Sequence, residues 1–368
     1  MVKLIITVIL ILSIYLWWQF TKWVPITQQL TTPGVDQAAT SGVSLPTPTS
    51  FQLSIPTESK TLTNGIHVFQ TFNNCGPAAL SMALSYYGIY ETQAKLGQDL
   101  RPYQVPGGDN DDKSVTLEEL AEKSREYEFV PYHRPNGSIE LIKLFITYDI
   151  PVIARTLIKV NEDIGHYRVI TGYDGSTNEI FQDDSLQGKN LRYSYDDFNT
   201  LWKKFNFEYL VLVPKDKKEI AEAILRYEVD ALESWKVAVK NAEAQLVEAP
   251  DDIYARFNLS VALYNIGDYQ GSVEKFEKVE TKLSFRTLWY QIEPILAYQK
   301  LKNYDRVFQI TDKVLNYHNR AFSELYIIRG KIYLEKGQKN LAKSEFEKAY
   351  LYNKNLKAAQ EALDSLLI

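Results

Sequence analysis

Hydrophobic and polar residues follow different patterns in the successive parts of this 368-residue chain. Residues 4–20 form an almost continuous apolar run with a lysine on either side. Residues 25–60 are rich in threonine, serine, proline and glutamine and show no apolar periodicity, so they cannot bury a core. The pattern therefore predicts a membrane helix over residues 1–24 and a linker over residues 25–61.

The spacing of apolar residues after the linker is helical at first and strand-like later. A helix is predicted from Cys75 to about Gly88. Thr116 and Glu119 have the spacing of a capping box that opens a second helix, and residues 138–148 are predicted to form a third. Alternating or continuous apolar residues predict strands at 66–70, 151–154, 166–171, 179–182 and 209–213. Helices followed by antiparallel strands are typical of an α+β domain.

The chain from residue 215 onward is helical in character and repeats itself. Three turn-like triplets begin at Gly267, Lys302 and Gly337, at intervals of 35 residues. Small or apolar residues keep the same spacing after each triplet, except that the second repeat matches less well and carries Pro294 inside its first predicted helix. A period near 34 residues with helix–turn–helix content is typical of tetratricopeptide repeats, and a plain helical bundle is the alternative.

These patterns together predict a multi-domain protein. An α+β domain is expected over residues 62–214 and an all-α repeat domain with a final capping helix over residues 251–368. Residues 215–250 are predicted to be a linking helix or a degenerate repeat. The boundaries follow the changes of hydrophobic period along the chain.

Charge and aromatic content change this picture at two points. The net charge of −5 gives no reason to expect nucleic-acid binding. The apolar run ends in Trp17 and Trp18, followed by Trp23, which suits a membrane interface better than a signal-peptidase cleavage site. We therefore predict a retained signal anchor, a single pass through the cell membrane, and both later domains outside the cytoplasm. Secretion after signal cleavage is the alternative.

Candidate chemistry centres on Cys75, the only cysteine of the chain. The start of a helix favours a thiolate, because unpaired backbone N–H groups and the helix dipole stabilise negative charge there. A thiolate nucleophile needs a base, and His166 follows Gly165 at the head of a predicted strand. A core cysteine and a packed histidine are the alternative interpretations. The other histidines lie close to Cys75 in the chain, in a loop-like context or between repeat helices: His67, His133 and His318.

Two further groups complete the predicted site. Asp183 and Asp184 end the strand next to that of His166, and only one can face its ring because neighbouring strand residues point to opposite faces. We expect that carboxylate to accept the Nδ1–H of the ring. Gln70 is a candidate amide donor to an oxyanion, together with the backbone N–H of Cys75. The alternatives are an ordinary turn at the two aspartates and a surface role for Gln70.

Together these residues resemble a papain-like cysteine peptidase of the bacteriocin-processing, double-glycine type, cysteine peptidase family 39, in a stand-alone form. The resemblance covers about residues 66–214. It implies Cys75 as the nucleophile and His166 as the general base and acid. It also implies Gln70 as an oxyanion donor and Asp184, rather than Asp183, as the orienting carboxylate. The motif segments are Asn74-Cys-Gly-Pro-Ala-Ala79, Gly165-His-Tyr167 and Asp183-Asp-Ser185, and Ser185 departs from the proline that the family usually has.

The resemblance implies hydrolysis of peptide bonds through a thioester acyl-enzyme, without a cofactor or a metal ion. Leader-peptide removal is not implied, because tetratricopeptide repeats stand where the classical members carry an exporter. The expected partners are a peptide or protein substrate, a protein bound by the repeats, and the membrane. An inactive peptidase-like domain that only binds peptides and an acyl transferase with the same residues are the two alternatives.

Overall fold

The computed structural model describes residues 52–105, 108–110 and 113–366, all of which belong to one compact unit. The predicted membrane helix over residues 1–24 and most of the predicted linker over residues 25–61 lie outside the described residues. Within the described ranges, no helix is both long and apolar enough to cross a membrane.

A seven-stranded antiparallel sheet forms the centre of residues 52–214, which we call the sheet region. The strands follow one another in space as β2-β7-β3-β4-β5-β6, and β1 pairs with β4. The strands are β1 (Ser59–Thr61), β2 (Val130–Arg134), β3 (Val152–Leu157), β4 (Gly165–Asp174), β5 (Glu179–Asp184), β6 (Gly188–Ser194) and β7 (Tyr209–Val213). The helices of this region are α1 (Cys75–Ser85), α2 (Gln93–Leu100), α3 (Leu117–Ser124), α4 (Ile139–Thr147) and α5 (Tyr195–Trp202). The predicted combination of helices and a sheet is therefore confirmed.

Helix α1 is the most deeply placed element of the sheet region. All of its residues, from Cys75 to Ser85, are buried. Its alanine, leucine and methionine side chains pack with α2, α3 and the strands β3, β4 and β7 in one hydrophobic cluster. A helix that is apolar on every side has no solvent-facing stripe, as expected for one enclosed by other elements. This burial fixes the position of Cys75 relative to β4.

Local rules explain how two other predicted helices begin. Thr116 and Glu119 form the predicted capping box of α3, because the Thr116 hydroxyl accepts from the Glu119 N–H at 3.2 Å and the Glu119 carboxylate accepts from the Thr116 N–H at 2.7 Å. Ser138 caps α4 by accepting from the Leu141 N–H at 3.1 Å. Both starts match the sequence-based expectation.

Several predicted boundaries in the sheet region are wrong. Residues 66–70 form no strand, because their backbone makes isolated hydrogen bonds instead of pairing with a neighbouring strand. The Ile66 N–H donates to the Ser85 hydroxyl, and the Gln70 N–H donates to the Ser185 carbonyl. Strand β1 lies inside the predicted linker and pairs with β4. Strand β6 was not predicted because it is a polar edge strand without buried residues.

Pairs of antiparallel helices form residues 253–364, which we call the repeat region. The pairs are α8 (Ile253–Asn265) with α9 (Tyr269–Glu277), α11 (Glu293–Lys300) with α12 (Tyr304–Tyr317), and α13 (Ser323–Glu335) with α14 (Lys339–Tyr352). Two helices precede the first pair, one stands between the first two pairs, and one follows the last: α6 (Lys218–Leu225), α7 (Ala231–Glu248), α10 (Thr287–Tyr290) and α15 (Lys357–Asp364). The helix–turn–helix units predicted from the 35-residue spacing are present.

The turn inside each pair uses the left-handed backbone region. Gly267, Lys302 and Gly337 have φ angles of +88°, +58° and +71°. Glycine adopts this region without strain, whereas a lysine does not. Pro294 lies inside the first helix of the second pair, as predicted, and is the second residue of α11, where its missing N–H breaks no helical hydrogen bond.

The sheet and repeat regions share one hydrophobic core. Leu157, Leu201 and Phe205 of the sheet region belong to the same buried cluster as Phe257 and Tyr290 of the repeat region. Polar contacts surround this cluster, and the Asn258 side chain of α8 donates to the Lys203 carbonyl at 2.6 Å. The repeat region is therefore packed against the sheet region and not joined to it by the chain alone.

Candidate active site

Cys75 is the first residue of α1, so its thiol lies where backbone N–H groups of the helix are unpaired. The next residue must be glycine for steric reasons. A Cβ atom on Gly76 would lie 2.3 Å from Cγ2 of Val115, which is buried against this end of the helix. Because Gly76 has no side chain, Val115 and the segment before α3 can pack against the start of α1, next to Cys75.

His166 lies at the start of β4, opposite Thr156 of β3, and is buried. Its Nε2–H donates to Oδ1 of Asp184 at 2.8 Å. His166 also lowers the pKa of the Cys75 thiol, and Nδ1 is the ring nitrogen that the Asp184 hydrogen bond leaves available to the thiol. The predicted use of Nδ1 for the carboxylate is thus wrong. Asp184 pairs with Arg168, two residues along the strand from His166, so its carboxylate meets the far side of the ring.

The two neighbouring aspartates have different surroundings. Asp184 accepts hydrogen bonds from His166 and from the Leu186 N–H at 2.7 Å, and its second oxygen lies 3.2 Å from Nε of the buried Arg168. Burial acts to raise the pKa of Asp184, but the His166 hydrogen bond and the nearby positive charges lower it to about 2. Asp183 instead accepts from the Tyr86 hydroxyl at 3.0 Å. Asp184 is therefore the carboxylate that contacts the ring.

Electrostatics at the site favour a thiolate beside an imidazolium. Burial raises the pKa of the Cys75 thiol, but the hydrogen bond and charge of His166, with smaller contributions from Ser114 and Arg101, bring that pKa below its ordinary value. Burial lowers the pKa of His166, but Asp184 and Cys75 raise it above its ordinary value. Since the two pKa values move towards each other, the ion pair is stabilised relative to the neutral pair.

Gln70 lies at the edge of this group. Its side-chain oxygen Oε1 accepts from the Ser185 hydroxyl at 2.8 Å, and its backbone N–H donates to the Ser185 carbonyl at 2.7 Å. Because Oε1 is held by Ser185, the amide NH₂ is the end of the side chain that remains to donate elsewhere. The serine that replaces the family's proline therefore fixes which way the Gln70 amide points.

Two residues at the site carried no sequence signal. Ser114 is buried with a φ of +61°, and its hydroxyl lies within hydrogen-bonding reach of the thiol but makes no well-aligned hydrogen bond among the described residues. Arg101 follows α2, donates to the Asn73 carbonyl and adds positive charge near the thiol. Neither residue belongs to a recognisable motif. The only sequence signals for them are the position of Ser114 just before the Thr116 capping box and that of Arg101 just after α2.

The remaining histidines take no comparable position. His67 donates to the Asp184 carbonyl at 2.9 Å and therefore supports the turn after β5. His133 lies in β2 and not in a loop, and its ring contacts Glu118 and Glu208. Burial lowers its pKa, but these two carboxylates raise it to about 9. His318 lies against Phe285 in the repeat region. In the part of the chain that the structure describes, no group of acidic, histidine or cysteine side chains is arranged to hold a metal ion.

Comparison with known families covers the sheet region. Residues 52–210 match the model of the Peptidase_C39 like family. This segment is C39-like. The resemblance of this segment to cysteine peptidase family 39 is thereby confirmed. Among curated proteins, none matches the chain by sequence.

Solved structures similar to the chain fall into two groups. A C39-like peptidase from Bacillus anthracis is 17% identical with a TM-score of 0.38 and covers 43% of this chain and 99% of its own. The peptidase domain of Streptococcus ComA, a bifunctional ABC transporter, is 18% identical with a TM-score of 0.33 and covers 42% and 100%. A tetratricopeptide repeat protein from Thermus thermophilus is 17% identical with a TM-score of 0.31 and covers 38% and 76%.

Proposed function

We propose that the chain is a cysteine peptidase in which Cys75, His166 and Asp184 carry the reaction. The observation that supports this most strongly is the buried hydrogen bond between His166 and Asp184, in which the same histidine lowers the pKa of the Cys75 thiol at the start of α1. A lone buried cysteine needs no histidine beside it, and a packed histidine needs no buried carboxylate. The combination is the one that nucleophilic catalysis requires.

The proposed reaction begins with attack of the Cys75 thiolate on the carbonyl carbon of a peptide bond. The oxyanion that forms would receive hydrogen bonds from the Cys75 N–H and the Gln70 amide. The His166 imidazolium gives its proton to the leaving amine as the C–N bond breaks, which leaves a thioester on sulfur. Neutral His166 then takes a proton from water, the hydroxide attacks the thioester, and the acid product and the thiolate are released.

Asp184 has a positioning role in this proposal. It holds Nε2–H of the ring, so that Nδ1 carries the proton exchanged with sulfur and substrate. The pKa of about 2 keeps Asp184 ionised at every pH above about 2, so it stabilises the imidazolium over that range. Arg168 balances the charge of the carboxylate inside the sheet region.

We also propose the finer features expected from the sequence. These are the bacteriocin-processing type of peptidase, a membrane anchor over residues 1–24, and a location of the catalytic region outside the cytoplasm. Binding of a protein partner by the repeats belongs to the same proposal. Because the first helix of the first pair contacts the sheet region through Asn258, such a partner would use surface that this contact leaves open.

A digest of a mixed peptide library by the full chain tests the proposed function, with new peptide ends detected by mass spectrometry. We expect new ends that disappear with Cys75→Ala and persist with Ser176→Ala, a matched change in an exposed turn. Intact peptides that nevertheless bind to the chain would contradict hydrolysis and support the peptide-binding alternative. Transfer of the acyl group to an added amine, without hydrolysis, would support the acyl-transferase alternative.

A further inference from the structure

Three segments of the sheet region each carry one polar group that lowers the pKa of the Cys75 thiol. Arg101 follows the end of α2, Ser114 precedes α3, and His166 follows Gly165 at the start of β4. None of these groups lies on α1 itself. Their positions relative to sulfur therefore depend on whatever holds the three segments in place.

The repeat region contacts the end of α2. The Asn353 side chain donates to the Leu100 carbonyl at 3.1 Å, and the Asn355 side chain donates to the Asp99 carbonyl at 2.8 Å. Tyr352 packs edge-on against Tyr103 with ring centroids 5.0 Å apart. These contacts bracket Arg101 on both sides along the chain.

A second contact of the repeat region fixes the segment that carries Ser114. Lys113 is only 4% exposed, and its ammonium lies 2.8 Å from the Glu324 carboxylate and 5.1 Å from the centroid of the Phe322 ring. A buried charge is stable only when it is paired, and Glu324 is the nearer of two carboxylates that pair with Lys113, the other being Glu119 at 3.9 Å. Ser114 follows directly in the left-handed region, which a serine occupies only when its neighbours impose it.

A third contact lies beside the base. The Tyr290 ring of α10 rests on Gly165, where a Cβ atom would come within 3.1 Å of it. The same ring lies 5.3 Å from the guanidinium of the buried Arg155, which also faces the rings of Tyr167 and Phe205. Tyr167 in turn donates its hydroxyl to the Val115 carbonyl at 2.7 Å, next to Ser114. The Tyr290 contact and the Lys113–Glu324 contact are thus connected through one buried cluster.

We propose that the repeat region is a positioning element of the active site, which holds Arg101, Ser114 and His166 around the Cys75 sulfur through Asn353, Glu324 and Tyr290. The three contacts come from successive parts of the repeat region: before the second helix pair, at the start of the third, and after the third. Loss of the Asn353 contact should displace Arg101 alone, whereas loss of the Glu324 or the Tyr290 contact should affect both Ser114 and His166, because one buried cluster connects these two contacts. The inference rests on the proposed function, since it concerns activation of the same thiolate.

The rate of Cys75 alkylation by iodoacetamide, measured against pH on the full chain, tests this inference. The titratable or charged groups facing the thiol are His166, Arg101, Tyr167 and Tyr290. We expect Glu324→Gln to slow alkylation at pH 6 by about three- to tenfold and to move the titration of the thiol to higher pH. Tyr290→Ala and Asn353→Ala should act in the same direction, with Tyr290→Phe closer to the parent.

The matched control is Glu347→Gln, which removes a carboxylate from an exposed ion pair of α14 with Lys343 and should leave the profile unchanged. A merely structural role of Glu324 would lower the melting temperature without moving the titration of the thiol. The inference is overturned if Glu324→Gln, Asn353→Ala and Tyr290→Ala all keep the parent profile while His166→Ala shifts it. An ordinary profile in the parent itself would contradict the proposed function and this inference together.

Discussion

At the scale of single residues, adjacent side chains have unlike surroundings. Asp183 and Asp184 are both buried, yet one accepts from Tyr86 and the other from His166. The alternation of a strand explains why they separate, and the register of β5 on β4 decides which one reaches the ring. The sequence indicated Cys75, His166 and the aspartate pair. It did not indicate the ring nitrogen used, because that depends on the direction from which the carboxylate approaches.

Replacing each aspartate by asparagine separates their roles. Asp184→Asn removes the charge that raises the pKa of His166, so the imidazolium should lose its proton at lower pH. We expect the alkaline limb of the pH–activity profile to move to lower pH and kcat/KM to fall by about ten- to a hundredfold. Asp183→Asn should leave the profile in place and lower only the melting temperature. A shift of the alkaline limb in Asp183→Asn instead would contradict the assignment.

At the scale of elements, the chain follows local rules where those rules are strong. The capping box of α3, the Ser138 cap of α4 and the turns between paired helices are predictable from a few residues each. Strand β6 and the conformation of residues 66–70 are not predictable in this way. Strand β6 is a polar edge strand, and the backbone of residues 66–70 is held by isolated hydrogen bonds. Among the three turns, Lys302 is the residue least suited to its backbone conformation, because it occupies a left-handed position where the other two repeats have glycine.

Lys302→Gly should stabilise the protein. The left-handed backbone costs a lysine about 1–2 kcal/mol, and the greater freedom of glycine in the unfolded chain offsets part of the gain. We expect the free energy of unfolding to rise by about 0.5–1 kcal/mol, measured by urea denaturation. Lys300→Gly, two residues earlier at the last residue of α11, should instead destabilise by up to about 1 kcal/mol. Equal effects of the two substitutions would contradict the role of the turn.

At the scale of the whole molecule, the sheet and repeat regions are predictable one by one but their packing against each other is not. Their apolar periods are visible in the sequence, whereas the residues that join them have no common period. Arg155 lies on β3, Glu208 in a connection and Tyr290 on a four-residue helix. Such contacts arise only after both regions have folded, so they leave no local pattern.

The interface also contains a carboxyl group with an unusual pKa. Burial, and then the charge of Glu208, raise the pKa of the partly buried Glu293 to about 7. A folded-state pKa above the unfolded value means that the native chain binds the extra proton, so stability falls as pH rises from about 4.5 to about 7.

Glu293→Gln removes this titration. We expect the substitution to be close to neutral at pH 5 and to stabilise by about 1–2 kcal/mol at pH 8, after allowance for partial solvent screening. Melting temperatures at the two pH values measure the difference. Glu347→Gln on the exposed face of α14 is the matched control and should show none. A stabilisation that is the same at both pH values would contradict the proposed titration.

The pH dependence of Cys75 alkylation in the parent and in His166→Ala tests the central claim, an activated Cys75–His166 pair, most directly. In the parent, the lowered thiol pKa should keep alkylation fast at pH values below about 8.5, where a free cysteine loses its thiolate. In His166→Ala only burial, Ser114 and Arg101 remain, so the titration should move upward and alkylation at pH 6.5 should slow by at least about tenfold. A parent that titrates near 8.5 and does not change when His166 is removed would contradict the account.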